Sequence, residues 1–124
     1  IYVVRASVAG NINTSADTLL ELSKDKKHQI RWNVANNINT PIEVLERLSK
    51  NKECEIRTGV AENVNTPAEV LEKLSKDPYD HVRINVAENT NTSNETLKYL
   101  LNEDLTKDEA MKTLIKKKGL KLFK

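Results

Sequence analysis

Apolar and polar positions along the chain follow two periods at once. Within short stretches apolar residues return at helical spacing, as in Ile30, Val34 and Ile38 and then Val44, Leu45 and Leu48. The stretches themselves return every 26 residues. Val4-Arg5, Ile30-Arg31, Ile56-Arg57 and Val82-Arg83 are followed at constant offsets by Val8-Ala9, Val34-Ala35, Val60-Ala61 and Val86-Ala87. Asn11, Asn37, Asn63 and Asn89 come next, each two residues ahead of an Asn-Thr pair: Asn13-Thr14, Asn39-Thr40, Asn65-Thr66 and Asn91-Thr92. Leu19, Leu45, Leu71 and Leu97, with Leu22, Leu48, Leu74 and Leu100, complete each period. The pattern predicts four 26-residue repeats of two short helices. One unit buries too few side chains to offset the ordering of its own backbone, so each repeat must cover its apolar face with the next. The expected fold is an all-α solenoid.

Backbone chemistry predicts the helix ends. Thr40-Pro41-Ile42-Glu43 and Thr66-Pro67-Ala68-Glu69 place Thr at an N-cap, Pro at the first helical position and Glu where it closes a capping box. Thr14-Ser15-Ala16-Asp17 and Thr92-Ser93-Asn94-Glu95 keep the cap without Pro. Asp77-Pro78 offers a comparable start for the other helix, with Asp25 and Asn51 in the same column. The recurring Asn11/Asn37/Asn63/Asn89 suits the end of that helix, because Asn tolerates the left-handed conformation.

These residues resemble the leucine-rich repeat variant family, a HEAT/armadillo-like type of α-solenoid. Its pattern, roughly V-R-x-x-V-A-x-N-P-x-T-P followed by L-x-x-L and an acidic residue, is similar to Ile30-Arg31 through Pro41, then Leu45, Leu48 and Asn51. The likeness extends over about residues 4–103. It implies a right-handed superhelix with one helix of each pair tight and 3₁₀-like. Ile12, Ile38, Val64 and Thr90 stand where the family favours Pro. Some members carry a cysteine-rich iron–sulfur module; nothing here matches it, so no cofactor is expected. The resemblance implies an architecture and no defined reaction.

The last segment breaks the period. Thr106-Lys107-Asp108-Glu109 makes another capping box, and Ala110, Met111, Leu114 and Ile115 form a one-sided apolar stripe on a helix expected to end at Gly119. The expected organisation is an array over residues 1–105, its first repeat truncated, followed by a basic capping helix and tail over 106–124. Composition sharpens this division. The 124 residues carry a net charge of +2, yet residues 107–124 hold seven lysines against Asp108 and Glu109. The array is therefore mildly acidic, and any nucleic-acid contact must rest on the last segment. No apolar run is long enough to span a membrane and no signal-peptide pattern opens the chain, so a cytoplasmic location is expected. A start at Ile1 suggests upstream sequence, that is, a monomeric module of a longer protein. The single cysteine, Cys54, builds neither an internal disulfide nor a four-cysteine metal site.

In a repeat array, recurring side chains serve stacking and non-recurring ones are free to differ. Arg5, Arg31, Arg57 and Arg83 suit either a basic stripe for phosphates or a structural ladder onto the Asp25/Asn51/Asp77/Glu103 column or loop carbonyls; the ladder is preferred. Capping and loop closure account for the Asn11/Asn37/Asn63/Asn89 column. The first helices carry non-recurring columns: Tyr2, His28, Cys54, Asp80; Ala6, Trp32, Thr58, Ile84; and Gly10, Asn36, Glu62, Glu88. Ser7, Asn33, Gly59 and Asn85 flank them. Tyr2, His28, Trp32, Asn33, Cys54, Thr58, Asp80 and Ile84 are the expected partner-binding residues. Trp32, the only tryptophan, is either a partner anchor or the filler of an inter-repeat gap.

No catalytic or metal constellation assembles. Cys54, His28 and His81 lack a nucleophile or zinc motif, and Gly10, Gly59 and Gly119 build no phosphate loop. The expected function is a non-catalytic scaffold binding a protein or peptide on the non-recurring face. The alternative is a nucleic-acid-binding HEAT-like module using the basic C-terminal segment.

Overall fold

Short amphipathic segments punctuated by Asn, Thr and Pro fold into helices, and only stacking hides their apolar sides. A computed structural model describes residues 2–103 and 106–118. Nine helices occur among the described residues: α1 Tyr2–Gly10, α2 Ala16–Leu22, α3 His28–Asn36, α4 Ile42–Leu48, α5 Cys54–Glu62, α6 Ala68–Leu74, α7 Asp80–Glu88, α8 Asn94–Leu100 and α9 Lys107–Lys118. All are α-helical, including both members of every pair, so the 3₁₀ geometry implied by the family resemblance is not present. None is long and apolar enough to cross a membrane.

The odd-numbered helices α1, α3, α5 and α7 pack on one another in succession, and α9 packs on α7 and α8. Each even-numbered helix folds back on its own partner and touches the first helix of the next repeat. Ala9, Ala35, Ala61 and Ala87 are completely buried and small, which lets successive first helices come close. Ile30, Ile56 and Val82, with Val34, Val60 and Val86, fill one side of the core; Leu19, Leu45, Leu71 and Leu97 fill the other. The equivalent Val4 and Val8 are 61% and 38% exposed, because α3 packs on one side of α1 and no described residues cover the opposite side. Ile38 lies beyond α3 and is exposed, so the helical column ends at Val34.

Helix ends depart from the sequence expectation in an instructive way. The N-caps of the second helices are Ser15, Pro41, Pro67 and Ser93, one residue later than the threonines. Ser15 and Ser93 accept from the amides of Thr18 and Thr96. The threonines face backward instead: the hydroxyls of Thr40, Thr66 and Thr92 donate to the carbonyls of Val34, Val60 and Val86. Each therefore satisfies the preceding helix's last turn rather than the next helix's first.

The asparagines also work differently. Asn37, Asn63 and Asn89 have φ values of −78°, −70° and −78°, in the extended region and not the left-handed one. Their side chains bridge repeats. Asn63 Nδ2 donates to Ala35 O at 2.7 Å and Asn37 O at 2.9 Å, while its Oδ1 accepts from Asn65 N at 2.9 Å. Asn37 and Asn89 repeat this arrangement on Ala9/Asn11 and Ala61/Asn63. At the far end Thr113 Oγ1, from α9, donates to Ala87 O and takes over the asparagine's task.

Within α9, Ala110, Thr113 and Leu114 are buried, whereas Met111 is exposed and lies off the expected stripe. Lys117 Nζ donates to Thr92 O. The expected Gly119 stop and Leu120–Phe123 tail fall outside the described residues.

Asn63→Ala orphans the Ala35 carbonyl and the Asn65 amide and leaves Asn37 O with the Thr40 amide alone, and is expected to cost about 2–3 kcal/mol in denaturant unfolding. Asn63→Asp, which sets a further acceptor against those carbonyls, should cost at least as much. Asn11→Ala removes only the bond from Asn13 N and should cost less than about 1 kcal/mol; equal losses at positions 11 and 63 would refute the bridging role.

Candidate functional site

The first helices are set in place at their N-terminal ends by arginine. Arg57 Nη1 donates to Asn51 O at 2.8 Å, behind its own helix. Its Nε and Nη2 grip the Asp77 carboxylate of the next loop at 2.7 and 3.1 Å. Asp77 Oδ1 also accepts from Tyr79 N, just ahead of α7. One carboxylate thus joins the arginine of one repeat to the start of the next. Asp25 and Asn51 make the same local turn with the amides of Lys27 and Glu53, so this column acts two residues before the N-cap rather than as the cap. Arg5 pairs with Asp25, and Arg83 with Glu103 and Asp80. The Arg5 guanidinium, followed by the Lys27 amide, holds the Asp25 carboxyl below the ordinary range. The Asp77 carboxylate likewise raises Arg57, against the opposing effect of burial.

One rung differs. Arg31 Nη1 donates to Asp25 O and Lys26 O, but the residue twenty positions on is Asn51, an amide, and Arg31 Nε is buried without a hydrogen-bond partner.

With the arginines engaged, the variable side chains occupy the other face. Trp32 is half-buried and rests against the core. It lines two adjacent cavities. The first, about 220 Å³, is formed by His28, Gln29, Trp32 and Glu55. The second, about 360 Å³, is formed by Trp32, Cys54, Glu55, Thr58, Glu62, Tyr79 and His81. Gly59 makes this possible. A Cβ there would come 3.0 Å from Ala35 Cβ and Asn36 Nδ2 and 3.4 Å from the indole Cδ1, so its absence lets α5 approach α3 beside the indole.

Among the expected partner-binding residues, His28, Trp32, Cys54 and Thr58 therefore meet around one indole. The others are placed differently. Tyr2 lies on α1 beneath the Lys27 ammonium, 5.1 Å from its ring centre. Asn33 Nδ2 donates to Ala6 O at 2.9 Å, tying α3 to α1. Asp80 pairs with Arg83, and Ile84 is half-buried in α7. Gln29, Glu55, Glu62, Tyr79 and His81 complete the cavities although they were not among the expected contacts, Glu62 from one of the variable columns. Glu55 and His81 each directly follow a variable-column residue, and Tyr79 directly precedes one.

The face is acidic. Partial desolvation raises the Glu62 carboxyl above its ordinary range and neighbouring Glu88 adds to the rise, opposed by a hydrogen bond from Asn36. Toward α9 the charge is mixed: Lys112 and Lys116 share a cavity with Glu88 and Glu109. Among the described residues no cluster of three or more His, Cys, Asp or Glu has the geometry to hold a metal ion.

The family model of the leucine rich repeat variant matches residues 55–78, which cover most of α5, all of α6 and the turn behind it. No curated protein and no solved structure matches the chain. The chain is a helical repeat scaffold.

Asn51→Asp supplies the missing carboxylate to Arg31 while keeping an oxygen for Glu53 N. It is expected to stabilise the protein by about 1 kcal/mol at neutral pH. The introduced carboxyl, held ionised as Asp25 is, has a depressed folded-state pKa. The gain should therefore vanish as pH falls below about 4 and through that lowered value. Thermal melts of both proteins at pH 7 and pH 3 check this, and a gain independent of pH would contradict it.

Proposed function

We propose that the chain is a non-catalytic docking scaffold that receives a protein or peptide segment on the variable face of α3, α5 and α7. In this reading residues 1–105 supply the array and residues 106–124 cover its open end. The observation that carries it is the convergence of Trp32, Cys54 and Thr58, from two successive repeats, on one cavity. These side chains come from columns that stacking leaves free to vary, and an indole beside a groove is an effective interface anchor. The basic segment offers less to a nucleic acid: Lys117 is engaged with Thr92 O, and Lys116 stands by Glu88.

Peptides selected from a random display library on the intact chain provide the test, with Cys54 as a built-in blocking position. Alkylating Cys54 with N-ethylmaleimide, or the variant Thr58→Lys, should weaken the selected peptides at least tenfold without lowering the melting temperature by more than a few degrees. Glu43→Lys, at the start of α4, should leave them unaffected. Peptides bound equally well by all forms would place the docking surface elsewhere.

A further inference from the structure

The outward groups of the first helices have one sign of charge. Helices α3, α5 and α7 read HQIRWNVAN, CEIRTGVAE and DHVRINVAE. Their arginines, Arg31, Arg57 and Arg83, are all turned into hydrogen bonds with the loops, and none of these helices contains a lysine. The carboxylates Glu55 and Glu62 line the groove beside Trp32, and both side chains are exposed. Lysines of the array lie instead on the second helices and the connecting loops, at positions 24, 26, 27, 50, 52, 73, 76 and 98. The variable face thus exposes carboxylates with no lysine on the same helices, although the second helices carry carboxylates as well.

The aromatic groups in the groove differ in availability. The Arg57 guanidinium lies 5.5 Å from the ring centre of Tyr79, which is thereby occupied. Cations also stand over Tyr2 and Tyr99, but among the described residues none stands over Trp32, the ring with the strongest attraction for a cation. An indole face flanked by two carboxylates complements one side chain best: a planar guanidinium stacks on the ring while its edge donates to the carboxylates. Ammonium groups meet the charge but not the stacking. A cation beside Glu62 also relieves the repulsion from Glu88.

We propose that the Trp32–Glu55–Glu62 groove is an arginine-recognition site for an extended basic peptide, one guanidinium lying on the indole between the two carboxylates. The inference rests on the docking reading above and names the chemistry of its occupant.

Because Trp32 is the only tryptophan, its fluorescence reports the site directly. Hexa-arginine, hexa-lysine and hexa-glutamate are titrated into the intact protein at about 50 mM salt, where surface charge is only partly screened. The arginine peptide should change the emission saturably and bind at least threefold more tightly than the lysine peptide; the glutamate peptide should give no change. Glu55→Gln/Glu62→Gln should weaken arginine-peptide binding at least fivefold, whereas Glu43→Gln/Glu46→Gln on α4 should leave it within twofold.

Equal weakening by both pairs, equal binding of the arginine and lysine peptides, or no change in emission with the arginine peptide would each overturn the arginine site. The docking reading is judged separately. If display-selected peptides are sensitive to Cys54 alkylation yet lack arginine, the face docks a segment of other chemistry and only the present inference fails. If they ignore that alkylation, the docking reading fails as well.

Discussion

A helix ends with carbonyls that have no partner inside it, and burying such an end demands donors from elsewhere. Here the donor is the asparagine amide one repeat on. Asn37, Asn63 and Asn89 each span the final turn of the preceding first helix and the loop behind it, while their carbonyl oxygens shape their own loops. Helix termination and inter-repeat stacking are therefore one interaction. A repeat cannot complete its backbone hydrogen bonding without a neighbour, which ties the fold to the array in addition to the shared apolar core. Thr113 of α9 meets the same requirement at Ala87 with a hydroxyl, which explains how a non-repeat helix can follow the last repeat.

The arginines extend this logic to the opposite end of the first helices. Arg31, Arg57 and Arg83 reach backward to a loop carbonyl, and Arg5, Arg57 and Arg83 reach forward to a carboxylate. Side chains that would otherwise form a positive stripe become structural, and the first helices expose Glu55, Glu62 and Glu88 without a compensating lysine on the same helices. The acidic character of the variable face is thus a consequence of how the stack is built. Gly59 adds the local condition, a close approach of α5 to α3 that seats Trp32 at the junction.

Much of the architecture was legible because identical residues at a 26-residue spacing experience nearly identical surroundings. Helix count, loop positions and the columns of Val, Ala and Leu follow from that regularity. What individual polar residues do was harder to read. Thr40 and Thr66 precede proline in the pattern of an N-cap, yet their hydroxyls turn back to Val34 and Val60, and the cap position passes to the proline. Asparagine at a helix end suggested left-handed backbone, whereas φ stays near −75° because the side chain is held by another repeat. Met111 and Ile38 belonged to apolar columns by spacing and are exposed by location. For the variable face, spacing brought forward His28, Trp32, Cys54 and Thr58. It gave no reason to add Tyr79, which reaches the same cavity from the loop before α7.

By itself the sequence determined the repeat, its length, the paired helices and the set of positions that do not recur, since all of these depend on local periodicity and on the inability of one unit to bury its own core. Only the tertiary structure decided which polar groups satisfy which carbonyls, and that the arginines pair forward along the stack, which leaves Arg31 Nε facing Asn51 without a partner. It also decided that the indole of one repeat shares a cavity with the thiol and carboxylates of the next. Those outcomes depend on contacts between residues about twenty to thirty positions apart, where a hydrogen-bonding side chain has several partners within reach and stacking geometry selects among them.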